Sequence, residues 1–355
     1  MKRKLLIAVP LLLAVILLAW HFRPKNEVLG EGYISERSVT LWSSVAQVRE
    51  PLDALHYGDR VDVVMRHNES TKVRTADGRS GWVDARFLME PALWQRSAKL
   101  IEQARALPVQ ARGRTKVATN LRVEPGRAQA RLYQFARSVP VEIVARSVAD
   151  WTATTGEKEP GGQTPEAKKE DWLLVRGLAT RPPGENASRT STDASNTTQP
   201  GDQTLPVAGW TIGRFIELDL PDTVREGTAS ANVRPVAWFE LNRVSDPAGE
   251  KPQYLVAGTR GAEGQSCDFT NLRVYTWDQK RSRYGTAFIE NNLCGAMPVR
   301  TSKTAKGEPE FRFRTKDGGG TERVYRLMQT VVRRIGESGT PVKKTRGRDS
   351  GRKKR

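Results

Sequence analysis

The octapeptide GWVDARFL occupies positions 81–88 and recurs as GWTIGRFI at positions 209–216. The Gly-Trp pair and the Arg-Phe pair keep the same register in both, at an offset of 128 residues. A match at one fixed offset indicates two copies of one structural unit. Alternating β-branched residues precede each octapeptide, at 60–64 and at 139–144, and this period predicts strands. The sequence therefore predicts a duplicated, mainly β architecture.

The order of elements around the two octapeptides resembles the bacterial Src-homology-3 (SH3-like) family. The second copy supplies the motifs Asn120-Leu121-Arg122, Trp172-Leu173-Leu174-Val175 and Gly209-Trp210. The first copy has Leu41-Trp42 in place of the opening Asn-Leu-Arg and lacks the Trp of the Trp-x-x-Val strand. The resemblance implies two small SH3-like β-barrels. It also implies that exposed aromatic residues line a peptide groove, which in exported members recognises cell-wall peptides.

Candidate site residues follow from this resemblance. The predicted ligand-binding residues are Tyr57, Trp151 and Trp172, with packing into the core left open as the alternative for the two tryptophans. Trp82 and Trp210 each follow a glycine in a strand, so they are assigned to the barrel cores, together with Phe87 and Phe215.

The predicted organisation has six parts. They are a signal anchor or signal peptide (1–25), the first barrel (34–90), a linker helix (91–107), the second barrel (117–220), a C-terminal antiparallel all-β domain (228–335) and a disordered basic tail (336–355). Two insertions split the second barrel, 152–170 and 178–207. Both are polar and rich in Ser, Thr, Gly and Pro, which predicts disorder. The helix carries an apolar stripe that joins the barrels or, alternatively, forms a dimer seam.

The N-terminus determines the predicted compartment. Three cations at positions 2–4 precede sixteen apolar residues, 5–20. This pattern is typical of a signal or anchor segment, and the positive-inside rule places the rest of the chain outside the cytoplasm. We expect a single-pass cell-membrane protein with an extracytoplasmic (periplasmic) body, because bulky residues 20–22 disfavour cleavage. The alternative is secretion after cleavage.

The formal charge of +18 is concentrated at the two ends of the chain. Residues 1–25 carry +5 and residues 343–355 carry +7, which leaves +6 for the other 317 residues. A body this weakly basic gives no reason to expect nucleic acid as a partner. Outside the cytoplasm, the tail at 343–355 would meet anionic lipid or an anionic polymer.

Cys267 and Cys294 are the only cysteines and are 27 positions apart. An oxidising compartment would allow them to pair, and two buried thiols are the alternative. The hairpins around them, 272–289 and 311–332, predict a small antiparallel sheet or sandwich of no recognised family. The three histidines are remote in sequence, so neither a zinc site nor any other metal or cofactor is predicted.

The same side-chain supply argues against an enzyme. Both cysteines lie in the last domain, whereas His56 and His67 lie in the first barrel, so a Cys-His nucleophile pair is not expected. No phosphate-binding or dinucleotide motif is present. The leading hypothesis is a non-catalytic, membrane-tethered or exported protein whose barrels bind cell-wall peptide or a partner protein. The alternatives are an envelope scaffold whose C-terminal domain binds the partner, and polyanion binding by the tail.

Overall fold

The computed structural model describes residues 28–151, 168–180, 204–317 and 320–338. The chain is mainly β, and its described strands form four antiparallel sheets accompanied by two α-helices. It divides into two compact units, Met1–Pro91 and Ala92–Arg355. The expectation of a mainly β, antiparallel protein is confirmed.

The first unit contains one seven-stranded sheet. Its strands are β1 (Gly30–Ile34), β2 (Ser38–Trp42), β3 (Pro51–His56), β4 (Arg60–His67), β5 (Ser70–Thr75), β6 (Ser80–Asp84) and β7 (Leu88–Met89), with a 3-10 turn at Ala85–Phe87. The spatial order is β3-β2-β6-β5-β4-β1-β7. Alternate residues of these strands form one apolar core: Ile34, Val39, Leu41, Leu55, Val61, Val73 and Val83.

The second unit contains a sheet of the same strand order. Its strands are β8 (Ala111–Thr115), β9 (Thr119–Arg122), β10 (Arg131–Phe135), β11 (Pro140–Asp150), β12 (Lys169–Thr180), β13 (Thr204–Ile212) and β14 (Ile216–Leu218), with a 3-10 turn at Gly213–Phe215. The order β10-β9-β13-β12-β11-β8-β14 repeats that of the first sheet, strand for strand. Each octapeptide therefore forms the end of one strand, a 3-10 turn and a short edge strand.

The glycine of each octapeptide is required by a close approach of two strands. A Cβ on Gly81 would lie 2.6 Å from the side chain of Leu41, and one on Gly209 would lie 2.7 Å from that of Leu121. Real Cβ atoms do not approach other heavy atoms so closely, so a larger residue would force these strands apart. The Gly-Trp repeat thus has a steric cause at equivalent places in the two sheets.

Several expected boundaries change in the structure. The barrels were expected to start at 34 and 117, but their first strands begin earlier, β1 at Gly30 and β8 at Ala111, and pair with β4 and β11. The predicted ranges of both insertions include strand residues. Lys169 and Glu170 belong to β12, and β12 and β13 remain paired up to Thr180 and Thr204. The remaining insertion residues, 152–167 and 181–203, lie outside the described residues.

Helix α1 (Pro91–Ala106) begins at a proline, as expected, and buries Ser97, Leu100 and Ala104. Its last turn is held by Arg176 of β12, whose Nη1 donates to the carbonyl oxygen of Ala104 at 2.8 Å. Helix α2 (Asp222–Ser230) was not predicted. It packs against a sheet through Gly227, where a Cβ would lie 2.6 Å from the Tyr275 ring.

The rest of the second unit is a sandwich of two four-stranded meanders. One contains β15 (Arg234–Val244), β16 (Lys251–Thr259), β17 (Asn271–Asp278) and β18 (Arg283–Glu290), and the other contains β19 (Gly295–Lys303), β20 (Pro309–Thr315), β21 (Glu322–Met328) and β22 (Val331–Ser338). Side chains from both sheets share one core: Val236, Ala237, Leu241, Leu255, Ala257, Phe269, Leu272, Val274, Leu293, Val299, Phe311, Phe313, Tyr325 and Leu327.

Three expectations about this part are corrected. The predicted start at 228 falls inside α2. The single strand expected at 324–332 is two strands, because Gln329 has a φ of 54° and turns the chain. Residues 336–338, expected in the tail, belong to β22.

Cys267 and Cys294 form the disulfide, so the alternative of two free thiols is wrong.

Neither described helix is long and apolar enough to span a bilayer. The expected anchor at 5–20 and the tail residues 339–355 lie outside the described residues.

The second sheet and the sandwich are joined through Gln110, which is fully buried. Its side chain donates to the carbonyl oxygen of Val299 at 3.1 Å and accepts from the Val299 N–H at 2.8 Å. Its own carbonyl accepts from the N–H of Trp238 at 2.9 Å. One glutamine thus hydrogen-bonds to both sheets of the sandwich, which satisfies polar groups that would otherwise be buried without partners.

Candidate functional site

A groove of about 360 Å³ opens on the first sheet, beside the 3-10 turn of the first octapeptide. We call it the aromatic groove and define it by Trp42, Arg49, Trp82, Arg86 and Phe87, which line it. The rest of the lining consists of three hydroxyl side chains, two valines and one carboxylate: Ser38, Thr40, Ser70, Val39, Val83 and Asp84. The volume lies at the lower end of the range of roughly 300–1,000 Å³ that is usual for ligand sites.

The two tryptophans stand at directly paired positions of β2 and β6. Arg49 lies over the Trp42 ring, 4.3 Å from its centroid, and Arg86 lies 4.8 Å from the centroid of the Phe87 ring. Cations at these distances are attracted by the negative faces of the rings. The groove thus offers half-buried aromatic surfaces for apolar groups, with guanidinium groups beside them that can bind carboxylates.

The local sequence explains why these side chains face outward. In β6, Gly81 and Val83 point into the core, so the pleat turns Trp82 to the opposite face. Asp84 then caps the 3-10 turn, because its Oδ1 accepts from the N–H of Arg86 at 2.9 Å. Its Oδ2 also pairs with Nε of Arg86 at 2.9 Å, which holds that guanidinium beside the groove.

The second copy closes the equivalent face. Registers place Trp172 opposite Ile212, where the first sheet has Ser70 opposite Asp84. Trp172 is 1% exposed, so a large buried ring stands where the first copy has a small serine. Trp210 in turn pairs with Arg122, at the place where Trp82 pairs with Trp42. The aromatic groove is therefore a feature of the first sheet.

The structure does not bring the three predicted ligand residues together. Tyr57 is 5% exposed and Trp172 1% exposed, so neither presents a ring to solvent, and these two expectations are corrected. Tyr57 is buried just before Gly58, whose φ of 86° turns the chain between β3 and β4. Trp151 is 39% exposed and has Arg127 5.7 Å from its ring centroid. It directly follows the last residue of β11.

The residues assigned to the barrel cores are also placed differently. Trp82, Phe87, Trp210 and Phe215 are all half-buried. Phe87 packs against the edge of the first core, whereas Trp82 lines the aromatic groove. For Trp82 the assignment was wrong, because the residues before and after it, Gly81 and Val83, are the ones that enter the core. Strand alternation, applied at Val83, would have predicted an outward Trp82.

A second polar constellation lies where the second sheet meets the sandwich, with three buried members and two, Arg234 and Lys316, whose side chains are 40% exposed. We call it the buried ion cluster: Arg146, Asp171, Arg234, Asp268 and Lys316. The Arg146 side chain is 1% exposed, and it pairs with Asp171 at 2.5 Å and with Asp268 at 3.3 Å. Arg234 lies 3.2 Å from Asp171, and Lys316 lies 2.8 Å from Asp268.

The loop that carries the disulfide completes this cluster. Arg146 also donates to the carbonyl oxygens of Gln265 and Cys267, both at 3.0 Å. Asp268 Oδ2 accepts from the N–H of Met297 at 2.8 Å. Close pairing with several partners is what a buried charge requires, because desolvation is costly. The cluster therefore holds the second sheet and the sandwich together.

Glu170 forms a neighbouring ionic group. Its side chain is 3% exposed and binds the guanidinium groups of Arg127 and Arg214, each at 2.7 Å. The hydrogen bond from Arg127 is the main cause that holds the pKa of Glu170 below its usual value of 4.5, and Arg214 adds to the effect. This carboxylate therefore keeps its charge to a lower pH than an ordinary glutamate does.

Metal ligands are not grouped in the part of the chain that the structure describes, where no three His, Cys, Asp or Glu side chains form a candidate site.

Comparisons with known proteins give little guidance. No protein-family model matches the chain, and no curated protein matches it. Among solved structures, NlpC2 from Trichomonas vaginalis matches with 8% identity, 86% of this chain and 91% of the other covered, and a TM-score of 0.16. An NlpC/P60 family protein from Bacillus cereus matches with 11% identity, 74% and 94% covered, and a TM-score of 0.20. These TM-scores are too low to inform the fold or function of this chain.

Proposed function

We propose that this chain is a non-catalytic cell-envelope protein with two SH3-like modules, of which the first binds cell-wall peptide in the aromatic groove. The observation that carries the proposal is the pairing of Trp42 with Trp82 beside a groove of about 360 Å³. Paired aromatic faces bind the apolar parts of an extended peptide at low entropic cost, since each ring has few rotatable bonds. Arg49 supplies charge for a carboxylate of such a peptide, whereas Arg86 is already paired with Asp84.

The two modules have different roles in this proposal. The first keeps an open groove, whereas in the second Trp172 fills the equivalent face. The second module is also joined to the sandwich by Gln110 and by the buried ion cluster. Its role in the proposal is structural: it supports the sandwich. This feature favours the scaffold alternative for the second unit, in which the sandwich carries a partner-binding surface.

The proposed location is the extracytoplasmic side of the cell membrane, attached through residues 5–20 or released by cleavage after them. Support comes from the N-terminal sequence pattern and from the disulfide, which is typical of oxidising compartments. The disulfide also uses both cysteines of the chain, so the proposal contains no thiol nucleophile.

A sedimentation assay with purified peptidoglycan tests the proposal. The full-length protein is compared with Trp82→Ala and with the control Trp151→Ala, which removes an exposed tryptophan far along the chain. We expect retention of the unmodified protein and of the control, and loss of most retention for Trp82→Ala. Removing an aromatic anchor from a binding site commonly costs 2 kcal/mol or more, or roughly 30-fold in affinity.

Two results would contradict the proposal. Absence of retention at low salt would remove wall binding altogether. Equal retention of Trp82→Ala and the unmodified protein would remove the aromatic groove as the site. Far-ultraviolet circular dichroism of Trp82→Ala shows whether the variant is folded, and Trp42→Leu provides an independent variant of the same groove.

A further inference from the structure

A second cavity lies within the second unit, between the second sheet, helix α2 and strand β15. Its volume is about 330 Å³. Leu173 of β12, Ile216 of β14 and Val236 of β15 provide an apolar wall. The cavity is separate from the aromatic groove, which lies in the first unit.

Cations dominate the polar lining of this cavity. Five line it, Lys116, Arg146, Arg214, Arg225 and Arg234, against three carboxylates, Asp171, Glu217 and Glu263. Asp171 is already shared by two of the guanidinium groups, and Arg214 is bound to Glu170 and Glu263.

Two of these cations keep their charge uncompensated. Among the described residues, neither Lys116 nor Arg225 has a carboxylate within ion-pair distance, and Arg225 donates only to the carbonyl oxygen of Leu220, at 3.2 Å. Both side chains belong to exposed residues, so they stand where a ligand could reach them from solvent. Across the described ranges, Glu217 is the one lining carboxylate that takes no part in these ion pairs, so Lys116 and Arg225 leave one net positive charge at the cavity.

Arg146 belongs to the cavity lining but is itself buried. Four hydrogen bonds occupy the terminal nitrogens of Arg146, but within the described part of the chain its Nε has no acceptor. The side chain is 1% exposed, so water at the surface does not satisfy this N–H. A buried donor without an acceptor is uncommon in proteins and is costly unless something else provides one.

We propose that this cavity binds a small organic oxyanion, a carboxylate or a phosphate ester, with its apolar part against Leu173, Ile216 and Val236. The oxyanion pairs with Lys116 and Arg225, the two lining cations that have no carboxylate within ion-pair distance among the described residues. Carboxylate and phosphate share this recognition chemistry, because both accept charge-assisted hydrogen bonds from guanidinium and ammonium groups. The inference is independent of peptide binding by the first module.

Isothermal titration of the full-length protein tests it, with benzoate and phenyl phosphate as probes and benzamide as their neutral counterpart. We expect saturable binding of at least one anion and none of benzamide. The double variant Lys116→Gln/Arg225→Gln should weaken that binding by about tenfold or more, because two charge-assisted contacts are lost. The control Lys303→Gln removes an exposed cation of β19 and should bind as the unmodified protein does.

Which probe binds distinguishes the sources of the oxyanion. Binding of benzoate alone identifies a carboxylate ligand, and binding of phenyl phosphate alone identifies a phosphate ester. Adventitious attraction to basic residues 343–355 is the same in all variants, so the difference between variants reports on the cavity. The proposal is overturned if neither anion binds saturably, if benzamide binds equally well, or if the double variant binds like the unmodified protein.

Discussion

Replacing Asp171 with Asn should destabilise the second unit strongly, because it removes the closest counter-charge of a fully buried guanidinium. Asp171 accepts from Arg146 at 2.5 Å, from the N–H of Gly264 at 2.8 Å and from Arg234 at 3.2 Å. Removing one partner of a buried pair costs about 3–5 kcal/mol. Asp268 remains 3.3 Å from Arg146 and compensates in part, so we expect a loss of about 3 kcal/mol.

Differential scanning calorimetry measures this loss. For a unit of this size, about 3 kcal/mol corresponds to a fall in Tm of roughly 6–12 °C. The matched control is Asp219→Asn, which removes an Asp that pairs with Arg114 at 3.0 Å but is 41% exposed. Exposed pairs contribute at most about 1 kcal/mol, so the control should lose no more than about 4 °C. A similar, small shift for both variants would refute the reasoning.

A double variant distinguishes the loss of the attraction between Arg146 and Asp171 from the cost of leaving the Arg146 charge buried without that partner. In Arg146→Met/Asp171→Asn, the guanidinium that Asp171 neutralised is gone as well. We expect this double variant to be more stable than Asp171→Asn alone, because an uncompensated buried charge costs more than an apolar replacement. If Arg146→Met and Asp171→Asn each lower the free energy of unfolding strongly and the double variant loses the sum of the two, the pair does not act as a unit.

Three further changes have outcomes that follow from the structure. Gly81→Ala should lower the free energy of unfolding of the first unit by about 1–3 kcal/mol through overpacking, as measured by urea unfolding. Gly30→Ala should change it little, because no atom lies within 4 Å of the added Cβ. Equal losses in the two variants would contradict the steric cause. Glu170→Gln should flatten the acid side of the stability profile. Folding lowers the pKa of Glu170, so its ionised carboxylate contributes fully to the free energy of unfolding above the usual pKa of 4.5. That contribution is lost as the pH falls through the pKa of the folded state. An unchanged dependence of stability on pH in Glu170→Gln would contradict this reasoning. The double variant Cys267→Ser/Cys294→Ser should lower the free energy of unfolding by about 3–4 kcal/mol, because the disulfide closes a loop of 27 positions and restricts the unfolded chain. A loss under about 1 kcal/mol would contradict this prediction.

The strand pattern was predictable where hydrophobic residues alternate. Val61 and Val63 in β4, and Val141 and Ile143 in β11, point into their cores as the period-two pattern indicates. The first strand of each sheet was missed, because Gly30–Ile34 and Ala111–Thr115 carry few apolar residues. In β8 the glycine is required by packing instead, since a Cβ on Gly113 would lie 2.3 Å from the carbonyl oxygen of Glu217.

The sequence could predict the type of residue in the candidate site, but not which residues form it. The sequence indicated aromatic residues of the barrels, but the residues chosen for exposure, Tyr57 and Trp172, are buried, and Trp82 lines the groove. Which ring faces solvent depends on strand register and on what covers the opposite face. The buried ion cluster escaped prediction for a related reason. Its members, such as Arg146 and Asp268, are 122 positions apart, and no local pattern marks their contact.

The substitution Ser70→Trp tests the central proposal most directly. It places in the first module the ring that Trp172 places at the equivalent position of the second, where that face is closed. The measurement is an equilibrium titration of the full-length protein with a soluble peptide released from peptidoglycan. We predict saturable binding by the unmodified protein and a loss of at least about tenfold in affinity for Ser70→Trp, because the ring would occupy the groove. Equal affinities for the two proteins would contradict peptide binding in the aromatic groove.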